Sequence, residues 1–192
     1  MPKPLAIVVG AARGSGRAAA LALGRRGLHV VVWDVNPDAV DRVVAEIVAA
    51  GGSAEAVTAD ITNKMAAQTT LYRLLDAHPK IDLLVNAAEI EPRTSALKMD
   101  EGEWDRTLDV GVKGAFLVAQ TVARAMQVTG GGVIANVVRP ADAPHAGVCA
   151  ARAALAALTG ALSAEWAEHG VRVVGVPAAE IQSLETLPLS AE

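Results

Sequence analysis

Cysteine and aromatic residues are scarce in this chain of 192 residues: one Cys, one Tyr, one Phe and three Trp. The lone Cys149 excludes an intramolecular disulfide scaffold and fits a reducing compartment, so a cytoplasmic location is expected. An aromatic content of 3% leaves no stacking platform for nucleic acid. No long Lys/Arg run is present and the formal net charge is −4, which argues against nucleic acid or an anionic membrane surface as partner. No apolar run is read as long enough to span a membrane. The four histidines (His29, His78, His145, His169) show no ligand spacing, and no metal site is expected.

Aliphatic residues are abundant. The hydrophobic fraction is 52%, so the chain can bury a core rich in Ala, Val and Leu. Short β-branched runs alternate with longer helical stretches. Strands are expected at Leu5–Val9, His29–Trp33, Ala54–Thr58, Ile81–Val85, Val133–Val138 and Val171–Val176. Helices are expected at Gly14–Gly27, Asp38–Ala50, Asn63–Ala77, Asp100–Val110, Gly111–Met126 and Val148–Glu168. Continuous apolar strands separated by helices imply an α/β fold: a doubly wound parallel six-stranded sheet with helices on both faces. One domain over residues 1–182 is expected, followed by a patternless polar tail over 183–192.

Ligands of such sheets bind beyond the carboxyl ends of the strands. The first strand runs into Gly10-Ala11-Ala12-Arg13-Gly14-Ser15-Gly16. Small residues there let the backbone approach a pyrophosphate, and the next helix offers free N–H groups to it. The alternative is an ordinary tight turn. The second strand ends at Asp34, placed to accept the hydroxyls of an adenosine ribose and to repel a 2′-phosphate. That reading favours NAD over NADP; the alternative is a helix-cap aspartate.

Gly10-x-x-x-Gly14-x-Gly16 resembles the short-chain dehydrogenase/reductase family, and the resemblance covers nearly the whole chain. Asp60-Ile61 resembles the family's Asp-Val pair beside the adenine. Asn86-Ala87-Ala88-Glu89 resembles its Asn-Asn-Ala-Gly segment. The resemblance implies a nicotinamide cofactor held by Gly10, Arg13, Gly14, Ser15, Gly16, Asp34, Asp60, Ile61, Asn86, Ala87 and Ala88. It also implies hydride transfer between that cofactor and a carbonyl or alcohol, assisted by Ser, Tyr, Lys and Asn.

At those four places this chain departs from the family. Val148 stands for the Tyr, Arg152 for the Lys, Arg139 for the Ser and Gly111 for the Asn. The single tyrosine, Tyr72, lies on the helix before the fourth strand. The family's Pro-Gly turn reads Ala178-Ala179, and its last strand and lid are not found. Among the four replacements only Arg152 is a candidate for chemistry, as an electrophile; His145 and Cys149 read as loop and packing residues. Glu89, in the Gly position, would cost about 1–2 kcal/mol if its backbone needed positive φ. It could instead pair with Arg139 or Arg152 and close the site.

The chain therefore reads as a degenerate member that binds NAD without the standard catalytic residues. The alternatives are an interaction or regulatory partner of an active relative, and an active oxidoreductase using Arg152. The resemblance also implies a homodimer through helices 111–126 and 148–168, or a mixed oligomer with a related active subunit. Ala119, Ala123, Ala153, Ala157 and Ala161 are expected at the contact, and the sixth strand is expected as an apolar edge needing cover.

Overall fold

Leu5–Val9 is apolar at every position because both of its faces are covered. In the computed structural model, which describes residues 3–190, Leu5, Ile7 and Val9 enter one core while Ala6 and Val8 enter another. The elements are β1 (Leu5–Val9), α1 (Gly14–Arg25), β2 (His29–Asp34), α2 (Pro37–Ala49), β3 (Ser53–Thr58), α3 (Lys64–Ala77), β4 (Leu83–Asn86), α4 (Glu101–Leu108), α5 (Ala115–Val128), β5 (Gly132–Val138), α6 (Ala146–Trp166) and β6 (Val171–Pro177). All strand pairs are parallel and the order is β3-β2-β1-β4-β5-β6. The expected doubly wound sheet is observed. Its order reverses between β1 and β4, which opens a crevice at their carboxyl ends.

One core packs α3, α5 and α6 against the sheet, and the other packs α1 and α2. Helix starts follow local chemistry. The side chains of Asn36, Asn63 and Asp100 accept from the backbone N–H groups of Ala39, Ala66 and Glu103, capping α2, α3 and α4.

Three expectations change. The stretch expected as two separate helices is one rod, with a π-helical turn at Asp109–Gly114 joining α4 to α5. Small residues permit it: a Cβ on Gly114 would lie 2.8 Å from Ile61 and one on Gly111 3.3 Å from Ala151. The segment expected as a patternless tail is partly structured. Two 3-10 turns separated by a kink at Glu180 run over Ala178–Glu185, Ile181 and Leu184 are buried, and Leu187 and Leu189 pack on the α1/α2 core. Leucine at 184, 187 and 189 covers apolar surface that a polar tail would leave open. Arg25 reaches Glu185 at 2.7 Å, and Arg172 on the edge strand β6 donates to the Pro188 carbonyl. Residues 191–192 of the expected tail lie outside the described residues.

The third change concerns the long helix. Ala146–His169 is apolar and long enough to cross a membrane by length and composition, with a mean hydropathy of 1.4. One side of α6 packs on β5 and β6, while Ala153, Ala156, Ala157, Gly160, Ala161 and Ala164 are exposed. On α5 the expected contact residues Ala119 and Ala123 are instead buried in the chain's own core.

Candidate functional site

The crevice is a cleft of about 570 Å³ at the carboxyl ends of β1, β2 and β4. Gly10, Arg13, Gly14, Ser15, Asp34, Asp60, Ile61, Ala87 and Ala88, all singled out from sequence, line it. Gly16 and Asn86 do not. Gly16 is buried, and a Cβ there would sit 2.0 Å from the Gly10 carbonyl oxygen, so it lets α1 start beneath the loop. Asn86 is buried below the cleft, where its Nδ2 donates to Asn136 Oδ1 at 2.9 Å. Asn136 in turn donates to Thr159 Oγ1 at 2.9 Å, so this chain of amides ties β4 to β5 and α6. Asn86 thus stands beneath the cleft and not on its lining, with its buried Oδ1 without a hydrogen-bond partner among the described residues.

Two glycines carry the loop. Gly10 has φ +76°, and a Cβ there would lie 2.5 Å from the Ala88 amide nitrogen, so the ends of β1 and β4 touch only because it is glycine. Gly14 has φ +55° and open space where its Cβ would be. Gly14 itself lines the cleft, directly at the start of α1. The α1 N-cap, Arg13, makes no side-chain capping bond, so the first-turn N–H groups face the cleft with the positive end of the helix dipole.

Asp34 is not the helix cap; Asn36 is. One Asp34 oxygen accepts from Ala12 N at 3.1 Å and the other from Val35 N at 2.8 Å. These bonds hold the carboxylate between the glycine loop and β2, at the cleft wall. Trp33 is fully buried behind it and donates from Nε1 to the Ala59 carbonyl at 2.9 Å. Asp60 accepts from Thr62 N at 2.9 Å, which fixes the turn that presents Ile61.

An ion-pair bridge spans the other end of the crevice. Glu89 Oε1 accepts from Arg152 Nε at 2.6 Å, and Glu89 Oε2 pairs with Arg139 Nε at 2.9 Å. Arg152 also pairs with Glu91, and Arg139 donates to Ser15 Oγ at 3.0 Å. One carboxylate thus bridges two guanidiniums from β5's end and α6, and the bridge reaches the start of α1. The space behind it, among Gly111, Val137, Arg139, Ala151 and Arg152, is about 20 Å³, room for one water molecule. The strain expected at Glu89 is absent, since no non-glycine residue among those described has positive φ. Val148 is buried. His145 caps α6 without a side-chain bond, Cys149 Sγ contacts the Ala141 carbonyl, and Tyr72 is exposed on α3.

Sequence reading missed Glu91, Arg93 and Arg106, which line the cleft from the β4–α4 connection and α4. No periodicity or motif marks them. It also missed a cluster at the opposite end of the sheet, where His29, Glu55 and His78 meet. Their separation along the chain hides a contact that the pairing of β2 with β3 and the end of α3 create together.

A family model described as short chain dehydrogenase matches residues 4–186. The chain is 35% identical to the NAD-dependent glycerol dehydrogenase of Listeria innocua, over 88% of this chain and 67% of that one. It is 36% identical to the 3-oxoacyl-[acyl-carrier-protein] reductase of Synechocystis sp., over 98% of this chain and 78% of that one. Among solved structures, a metagenomic short-chain oxidoreductase in complex with NADP superposes with a TM-score of 0.89 at 30% identity, covering 96% of this chain and 89% of that one.

Proposed function

The chain belongs to the short chain dehydrogenase family, and from that premise we propose that it binds NAD in the cleft without the family's usual proton-transfer residues. The residues present fit the adenosine and diphosphate half of that cofactor. Gly14 leaves a cradle that a Cβ would fill, the free N–H groups of α1 face it, and Asp34 and Ile61 stand at its ribose and adenine end. Toward the far half the Glu89 bridge to Arg139 and Arg152 spans the crevice, and the space behind the bridge is about 20 Å³. A nicotinamide that enters the space behind the bridge requires Glu89 to release at least one arginine.

When bound, a nicotinamide supplies or accepts hydride. This chain's contribution there is orientation alone. Val148, Arg139 and Gly111 carry no group that exchanges a proton near neutral pH, and Arg152 holds its proton too firmly. A missing positioned acid/base typically lowers a rate by ~10²–10⁴. The observation that carries this reading is the double ion pair of Glu89 across the place where chemistry would occur. It also supports a regulatory role beside an active relative over an oxidoreductase using Arg152, since Arg152 is engaged by two carboxylates. The single cysteine suits a cytoplasmic setting for either role.

Titration with NADH and NADPH, followed by calorimetry and by energy transfer from buried Trp33, tests the proposal. NADH is expected to bind at least tenfold more tightly than NADPH, because Asp34 repels a 2′-phosphate. Equal affinities would remove the Asp34 argument, and no binding of either would remove the nucleotide reading. With NADH bound, a panel of carbonyl substrates is expected to show little turnover; ordinary rates would overturn the claim about proton transfer.

A further inference from the structure

The end of the sheet opposite the cleft carries a second set of converging side chains. His29 opens β2, and its register partner on β3 is Ser53. Ser53 and Glu55 are two residues apart on one strand, so both project from the same face as His29. His78 is the residue that ends α3, and it brings a third side chain onto that face. The result is two imidazoles and a carboxylate, all half-buried, whose nearest ligand atoms lie within 4.8 Å of one another.

The orientation is specific. Ser53 Oγ lies 2.7 Å from His29 Nδ1, and a hydroxyl there can accept the Nδ1 proton in the tautomer that turns the Nε2 lone pair toward Glu55. His29 Nε2 is 3.6 Å and His78 Nε2 2.8 Å from the same oxygen, Glu55 Oε1. Tetrahedral ligands at Zn–N and Zn–O lengths near ~2.05 Å stand about 3.3 Å apart, between these two values. A hydroxyl fixing the outer nitrogen of a histidine is the support that metal-ligating imidazoles use. The carboxyl end of α3, with its negative dipole, favours a cation at His78.

We propose that His29 Nε2, Glu55 and His78 Nε2 bind one zinc-class divalent ion, with water as the fourth ligand. Imidazole and carboxylate together suit zinc, cobalt or nickel and not calcium or magnesium. His29 and Asp34 are five residues apart on β2, about 16 Å at the strand rise, so the site is separate from the nucleotide cleft. An ion there would tie β2, β3 and α3 together at the open edge of the sheet, where β3 has no further strand beside it.

The test uses the untagged full chain after dialysis against EDTA. Calorimetric titration with Zn²⁺ is expected to give one equivalent bound with a dissociation constant in the micromolar range or below. Co²⁺ is expected to give the intense visible absorption of a four-coordinate site. Bound Zn²⁺ is expected to raise Tm by roughly 5 °C at a hundredfold excess over Kd. Glu55→Gln and His78→Asn should each weaken binding at least tenfold and abolish the cobalt band, and Ser53→Ala should weaken it about tenfold. Circular dichroism shows whether each variant is folded. The His145→Ala/His169→Ala double variant, which leaves the cluster intact, should bind as the parent does. No saturable uptake up to about 100 μM Zn²⁺ overturns the proposal. So does binding that survives Glu55→Gln and His78→Asn but is lost with His145 and His169.

Discussion

Arg152 holds its proton more firmly than a free guanidinium does. The hydrogen bond it donates to Glu89 raises its pKa most; burial opposes that, and the charges of Glu89, Glu91 and Asp142 add to the rise. A raised pKa means that its stabilising effect is fully present below the ordinary arginine value and is lost only as pH climbs through the raised one. The arginine end of the bridge therefore adds no pH dependence to stability between about pH 6 and 9. Its side chain is 14% exposed and that of Glu89 21%, so the pair is only lightly screened by water. Replacing Arg152→Ala leaves Glu89 with Arg139 alone and should cost about 1–2 kcal/mol in urea unfolding. An unchanged urea midpoint and unchanged NADH affinity would show that the bridge neither stabilises the fold nor closes the site. Glu89→Gly should raise NADH affinity at least tenfold while lowering stability, because the far end of the crevice is then no longer spanned. NADH affinity that stays at the parent value would show that the bridge is no gate.

The glycine loop and α1 illustrate how one element answers two demands. Gly16 and Gly14 are two residues apart, yet their substitutions should behave differently. A methyl at Gly16 would meet the Gly10 carbonyl at 2.0 Å, and both belong to backbone that cannot swing aside. Gly16→Ala should therefore destabilise by about 1–3 kcal/mol or more. A methyl at Gly14 meets nothing, and only the φ of +55° resists it, at about 1–2 kcal/mol. Gly14 lines the cleft, so Gly14→Ala should lower nucleotide affinity by more than its loss of stability suggests. Thermal unfolding and NADH titration of the two variants separate these outcomes; a larger loss of stability at Gly14 than at Gly16 would mean that the loop is read wrongly. The π-helical turn follows the same logic, since Gly111 and Gly114 let the rod pass between Ile61 and α6.

At the scale of the whole molecule, α6 carries an exposed apolar side. Ala153, Ala157 and Ala161 lie on it, whereas the α5 residues first considered with them are used inside the chain's own core. We propose a homodimer, or a mixed oligomer with a related active subunit, in which this side of α6 meets its counterpart. Small residues there let two helices approach closely. Ala157→Glu should convert a dimer to monomer in light scattering without unfolding it; a parent that is already monodisperse and monomeric would remove the proposal.

The sequence by itself determined the sheet, since buried parallel strands must be apolar on both faces and helices must be amphipathic, and both patterns are local. It also marked the glycine loop, Asp34 and the Asp60-Ile61 pair, because a strand end followed by glycines and a helix start is a short-range signal. Glu89 and its two arginines were legible as a possibility. The tertiary structure decided that Glu89 holds both at once, because that depends on β5, α6 and the end of β4 converging. It likewise decided that Asn86 serves the sheet, that Leu184, Leu187 and Leu189 close over the α1/α2 core, and that His29, Glu55 and His78 face one another. Each of these is a contact between residues far apart along the chain. Local pattern carries no record of such contacts, because the burial and electrostatics that form them exist only once the elements have packed.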